Sequence, residues 1–256
     1  MGNVTKKENQ LVKFFKSFNL FEIIFLTLSL ATIITVSIVC KSDYLSIIYS
    51  LSAIFAMFCL SKGVFLYPIY QIISDGIYVI QAYMNCLYGE SILNLFILIP
   101  IQIVTTISWF KNKKQHSEIQ VNNLAWQEYL CVFLGAVALI APVYFMLKAL
   151  NTNYLIVSVA TFILPIITYY LTLRRSVVQF GTYIIQNLTI VLLWLMPIIY
   201  GGVADIGLLP MSLTFVIFII NNIYGFINWR RNYKRQELKR QSEMKENPII
   251  EEDETL

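Results

Sequence analysis

Four polar side chains stand inside long apolar stretches of this sequence: Asp75, Gln102, Asn187 and Asn222. One carboxylate and three amides form no reaction centre; they are donors and acceptors suited to holding a polar ligand away from water. An ionisable group at membrane depth costs roughly 2.5–3.5 kcal/mol on insertion scales, so Asp75 needs a partner or a cavity. Aromatic residues share the same stripes. Tyr67, Tyr70 and Ser74 stand at i, i+3 and i+7, and Phe180, Tyr183 and Asn187 repeat that spacing. A helix returns such positions to one face, so flat rings sit beside polar groups, as stacking on a heterocycle with a hydrogen-bonded edge requires. With Gln71 and Gln179 added, the candidate substrate-binding set is Tyr67, Tyr70, Gln71, Asp75, Gln102, Gln179, Phe180, Tyr183, Asn187 and Asn222.

Catalysis finds little support. The single histidine, His116, falls in a polar loop with no Cys or carboxylate constellation beside it, and reads as a solvated loop residue. No Gly-rich phosphate loop is present, which excludes an ATP-driven pump within this chain. Cys40, Cys59, Cys86 and Cys131 lie in or at the ends of four different apolar runs without CxxC spacing, as small apolar residues would. The chain is therefore expected to be no enzyme, to use no cofactor or metal, and to bind no nucleic acid.

The elements that must position the polar groups are membrane helices. Hydrophobic residues make up 57% and charged residues 13% of the chain, against about 25% charged in soluble domains. Mean hydropathy is +0.66. Apolar runs of spanning length begin at Leu20 and recur at about 44–61, 64–88, 91–110, 127–147, 153–173, 177–200 and 206–229, which predicts an all-α polytopic membrane protein of eight transmembrane helices. The first run is too long for a secretory signal and is read as retained. With the N-terminus inside, 17 of the 19 basic residues fall on the cytoplasmic side, leaving Lys41 and Lys148 outside with Asp43, Glu90 and Asp205. Both termini are then cytoplasmic, in a multi-pass protein of the cell membrane.

Internal similarity organises the helices. Gln102 precedes Trp109 by seven residues, as Asn222 precedes Trp229, and each Trp is followed closely by Lys111 or Arg230. Tyr88-Gly89 and Tyr200-Gly201 mark corresponding outer ends, so helices two to four match six to eight, with the fifth as linker: a parallel repeat of the kind that places a transporter site between halves. The expected segments are 1–19 cytoplasmic, 20–41 an extra helix, 42–111 the first three-helix unit, 112–150 a loop and linker helix, 151–231 the second unit and 232–256 a tail. Trp109, Trp229 and Tyr88 read as an interfacial belt. No acid other than Glu22, on the extra helix, is expected at the depth of Asp75. The tail from Arg230 begins as a basic, helix-compatible stretch, ends in acidic residues, and reads as solvated and partly disordered.

At these residues the chain resembles the PnuC family of nicotinamide riboside transporters. Pro100, Gln102 and Trp109 match a family pattern Pro-x-Gln-x-x-Gly-Trp-x-x-Trp, with Thr105 and Thr106 at its Gly and first Trp. Gln179, Phe180, Tyr183 and Asn187 occupy the positions of Asn-Trp-x-x-Trp-x-x-x-Asn. The ending NNIYGFINWRR, and Tyr88-Gly89-Glu90 with Leu93 and Asn94, are also similar; the resemblance spans about Phe21 to Lys234. It implies a SWEET-like 3+1+3 fold preceded by one helix, facilitated diffusion of nicotinamide riboside or a closely similar vitamin or nucleoside, trapping by intracellular phosphorylation, and a homotrimer in the lipid bilayer. Thiamine, riboflavin or a deoxynucleoside are the alternative cargoes that the resemblance allows, and a non-transporting receptor or assembly subunit is the competing class.

Overall fold

A computed structural model describes residues 18–112, 119–201 and 206–246, and its long elements are all helices. The readings made for Lys6 to Lys16, Lys113, Lys114, His116, Asp205 and the acidic end of the chain lie outside these residues. Among the described residues eight long helices follow in order: α1 Leu20–Val39, α2 Tyr44–Lys62, α3 Tyr67–Met84, α4 Tyr88–Lys111, α5 Trp126–Ala149, α6 Leu155–Leu173, α7 Gln179–Gly201 and α8 Leu209–Glu246. Seven are long and apolar enough to cross a membrane. The eighth, α3, carries Gln71, Ser74, Asp75 and Gln81, whose burial inside the bundle replaces the apolar surface a lipid-facing helix needs. An all-helical polytopic membrane protein is the architecture.

Local sequence sets the helix ends. Asn19 and Glu22 form a reciprocal capping box that starts α1. Asp43 caps α2 by accepting from the Ser46 backbone N–H at 3.0 Å and its hydroxyl at 2.7 Å. Burial raises the Asp43 pKa, but the hydrogen bonds from Ser46 and Gln81 outweigh it and hold the carboxyl below its ordinary value. Gly63, at φ 71°, ends α2 in the left-handed conformation that costs glycine least, and Pro68 opens α3. The third helix is thus shorter than the expected 64–88. Tyr88-Gly89 starts α4 instead of ending α3, and Gly89 lies where an added Cβ would come within 2.6 Å of Leu147 on α5.

The two connections α2–α3 and α6–α7 close alike. Gly63 N–H bonds Leu60 O, Val64 N–H bonds Cys59 O and Tyr67 N–H bonds Val64 O; Arg175, Ser176 and Gln179 donate in the same way to Thr172, Leu171 and Ser176, a constant shift of 112 residues (63 to 175, 64 to 176, 67 to 179). This shift aligns Tyr67 with Gln179 and Asp75 with Asn187. The sequence match of Tyr67 with Phe180 is one residue out of step, because helix phase is set where the preceding helix ends. The chain at 119–125 runs across both turns: Ile119 N–H bonds Gly63 O and Asn122 N–H bonds Arg175 O, while Gln236 of α8 exchanges hydrogen bonds with Val121 N–H and Ile119 O.

Packing interleaves the helices. α8 lies against α7 and α2, α4 against α3 and α6, α5 against α6, and α1 against α2 and α8. The buried Glu22 of α1 pairs with Lys62 Nζ at 2.9 Å and accepts from Tyr224 OH at 2.6 Å, which fixes the first helix to α2 and α8. At the end where the basic residues gather, Trp109 and Trp229 lie 5.9 Å apart, 0% and 1% exposed. Trp109 Nε1–H donates to Thr172 O on α6 and Trp229 Nε1–H to Leu60 O on α2, so each indole caps a helix C-terminus across the bundle. The expected belt role fails for both residues, since they point inward and cap helices. Tyr88 stays half-exposed, edge-on to Tyr83. α8 continues as helix through Glu246, well past Trp229, because Asn228 to Glu246 contains no Gly or Pro and is rich in Lys, Arg, Gln and Glu; the expected solvated tail therefore begins as helix.

Candidate functional site

A cavity of about 40 Å³ lies in the bundle, walled by six helices. α3 contributes Gln71, Asp75 and Tyr78, positions i, i+4 and i+7 of one face; α7 contributes Tyr183, Gln186, Asn187 and Ile190. Tyr49 and Met57 come from α2, Pro165 and Tyr169 from α6, Phe215 and Phe218 from α8, and Glu90, Asn94 and Leu98 from α4. Neither α1 nor α5 lines it. Asn94–Leu98 is a π-helical stretch two residues before Pro100, whose missing N–H leaves the carbonyl of Phe96 without its usual donor and permits the wider turn.

Hydrogen bonds order one side of the cavity. Gln71 Nε2 donates to Asp75 Oδ1 at 2.7 Å and to Tyr169 OH at 3.1 Å, and Tyr169 OH lies 3.2 and 3.3 Å from the two Asp75 oxygens. Asp75 is thus buried among neutral donors. Tyr183 OH bonds Tyr67 OH at 2.8 Å, and Tyr67 OH also accepts from Gln102 Nε2 at 3.0 Å. On the other side Tyr78 OH donates to Glu90 Oε2 at 3.2 Å and accepts from Trp194 Nε1–H at 3.0 Å. Several lining atoms have no protein partner: Gln71 Oε1, Glu90 Oε1, Gln186 Oε1 and Asn187 Nδ2. Buried polar atoms without partners are costly, so these call for water or a polar ligand.

Four of the ten residues chosen from sequence line the cavity: Gln71, Asp75, Tyr183 and Asn187. The other six lie elsewhere. Tyr67 and Gln102 are fully buried and reach the cavity through the Tyr183 hydroxyl. Tyr70 is turned aside, edge-on to Phe55 at 4.8 Å. Phe180 is packed edge-on against Trp229 at 5.5 Å and over Gly225, so it forms no wall opposite Tyr67 and Tyr70; it shares the helical face of Tyr183 and Asn187 but lies a turn further along the helix, outside the lining. Gln179 and Asn222 are fully buried with both amide atoms unpartnered, outside the lining.

Glu90 corrects the expected placement of the acids. Charge counting put it at the outer surface, yet it is 2% exposed and shares the cavity with Asp75. It is the second acid expected to be missing from that depth. Its signal was present, since Glu90, Asn94 and Leu98 recur every four residues on one helical face. Tyr49, Tyr78, Tyr169 and Gln186 were missed because they sit among many other apolar and aromatic positions of buried helices.

Membrane-spanning helices around a polar, aromatic-walled cavity, to which the described residues bring no catalytic His or Cys, have the make-up of a solute carrier. Residues 43–231 match the nicotinamide mononucleotide transporter family. The chain belongs to this family, the PnuC-type family its residue patterns resemble, and is a membrane transporter, not an enzyme. It is 24% identical over 244 residues to the nicotinamide riboside transporter PnuC of Neisseria mucosa, covering 91% of this chain and 92% of that one. The fold is that of the crystal structure of the vitamin B3 transporter PnuC, with a TM-score of 0.75 at 24% identity over 86% of this chain and 94% of that chain.

Proposed function

We propose that this protein carries nicotinamide riboside, or a vitamin-like nucleoside closely similar to it, across the cell membrane by facilitated diffusion, with intracellular phosphorylation trapping the product. The cavity between the helices carries this reading. Its wall combines tyrosine and phenylalanine rings with two carboxyls, one of them with an unpartnered oxygen, and with amide atoms that lack partners, which fits a flat ring joined to a hydroxyl-rich sugar. Among the described residues no Lys, Arg or His lines it. A phosphate would meet two carboxylates and no cation there, which favours a nucleoside over a nucleotide. Gln71, Asp75, Tyr183 and Asn187 contact the cargo in this reading, while Tyr67, Gln102, Gln179 and Asn222 support the wall or line the path beyond it.

The cavity is far smaller than the roughly 300–1,000 Å³ of an occupied ligand pocket. Loading therefore needs the two bundles to part, and the bundles are the two halves of a SWEET-like parallel repeat, α2–α4 and α6–α8. Support comes from the matched turns at Gly63 and Arg175 and the exchanged indole bonds of Trp109 and Trp229. The segments are those read from the sequence: 1–19, 20–41, 42–111, 112–150, 151–231 and 232–256. All eight helices span, with both termini cytoplasmic, and the assembly is a homotrimer. Thermal-shift screening of the purified chain against nicotinamide riboside, nicotinamide mononucleotide, thiamine, riboflavin and deoxynucleosides tests the cargo: stabilisation by the riboside is expected, and stabilisation by the mononucleotide alone would contradict it.

A further inference from the structure

We propose that Glu90 reads positive charge on the cargo, so that the cavity selects an aromatic cation, a flat ring bearing a quaternary nitrogen, over a neutral ring of the same shape. The inference rests on the carrier reading above and assigns the residue that sets its charge preference. The two cavity acids are not equivalent. Asp75 takes hydrogen bonds from Gln71 and Tyr169 on both of its oxygens. Glu90 takes a bond of 3.2 Å from Tyr78 and lies beside the Thr161 hydroxyl, which donates to Ser158 O at 3.2 Å, while Glu90 Oε1 itself accepts none although the residue is 2% exposed. Tyr78 offers no more than that one proton, and its oxygen already accepts from Trp194.

A buried carboxyl with an open oxygen is held either by a proton or by a counter-charge, and a cationic cargo would supply the second. Among the described residues no basic side chain lines the cavity, so its wall supplies no counter-charge. The rings around Glu90 point the same way. Tyr49 lies 5.2 Å from Tyr78, and Phe215 lies 6.2 Å from each of them, so three aromatic residues cluster beside the hydroxyl that holds Glu90. Their faces attract a cation and do little for a neutral ring beyond stacking. A delocalised cation between these rings and Glu90 Oε1 satisfies both, and the unpartnered amide atoms of Gln186 and Asn187 remain for its polar substituents.

Titrating the purified full-length chain with nicotinamide riboside, whose ring is cationic, and with its neutral dihydro form tests the proposal. The wild type is expected to bind the cation at least tenfold more tightly. Glu90→Gln should weaken the cation tenfold or more and change the neutral ligand less than twofold, and Glu90→Asp, which keeps the charge, should keep the preference. Equal losses for both ligands would make Glu90 a hydrogen-bonding or packing residue and overturn the proposal, as would a wild type without preference; that wild-type comparison decides alone if Glu90→Gln does not fold. Binding of neither ring would instead remove the carrier reading for this cargo.

Discussion

Asn187 leaves its side-chain nitrogen unpartnered in the cavity wall. If it holds the cargo, Asn187→Leu removes a hydrogen bond and leaves a ligand group unpaired, at about 1–3 kcal/mol. Calorimetric affinity for nicotinamide riboside should fall about tenfold, with expression and folding intact; unchanged affinity would remove Asn187 from the site. Trp109 plays another part. It is fully buried, touches Tyr67 and Trp229, and caps α6. Trp109→Ala should cost about 3–5 kcal/mol of stability, the usual range for a buried Trp, where a belt residue would cost little; a melting temperature within a degree of wild type would contradict this. Asp75, Asn187 and Gln71 were legible because a polar residue in an apolar run announces itself. Phe180 and Tyr70 misled because an i, i+3, i+7 stripe defines a face without saying what the face meets, and Glu90 was misread because a charge near a helix end looks the same in sequence whether it faces water or a cavity.

At the scale of elements, the approach of α7 to α8 depends on Gly225. A Cβ there would overlap the Phe180 ring and come within 2.8 Å of Ser61 Oγ. Gly225→Ala should therefore destabilise by about 1–3 kcal/mol, as overpacked cores do, and Phe180→Leu in the same chain should recover part of the loss by vacating the ring's space. Full stability in the single variant would show that the helices separate at no cost. All eight helices are legible in runs of apolar length, including α3, whose polar face reads as a site and not as a loop. Their ends were less legible, since the turn at Gly63 and the start of α4 at Tyr88 depend on capping bonds and on contact with Leu147. The π-helical stretch before Pro100 was not legible, because proline alone does not say whether a helix kinks, widens or stops.

At the scale of the whole molecule, the proposed pairing of two helix triplets starts from repeated amide–indole spacing, and the crossed indole bonds, which no spacing could specify, add support to it. The cavity sits where all six helices of the triplets meet. Its two acids raise the question of ion coupling, and their neutral hydrogen-bond partners, together with the charge-reading role given to Glu90, argue for a cargo that moves without a driving ion. Counterflow tests this account most directly. Proteoliposomes loaded with unlabelled nicotinamide riboside, with proton and sodium gradients clamped to zero, should accumulate labelled riboside transiently with the wild-type chain and at least tenfold more slowly with Asn187→Leu at subsaturating substrate. Absence of wild-type counterflow under the clamp, restored by a proton or sodium gradient, would contradict facilitated diffusion, and equal rates in the two proteins would contradict the cavity as the path of the cargo.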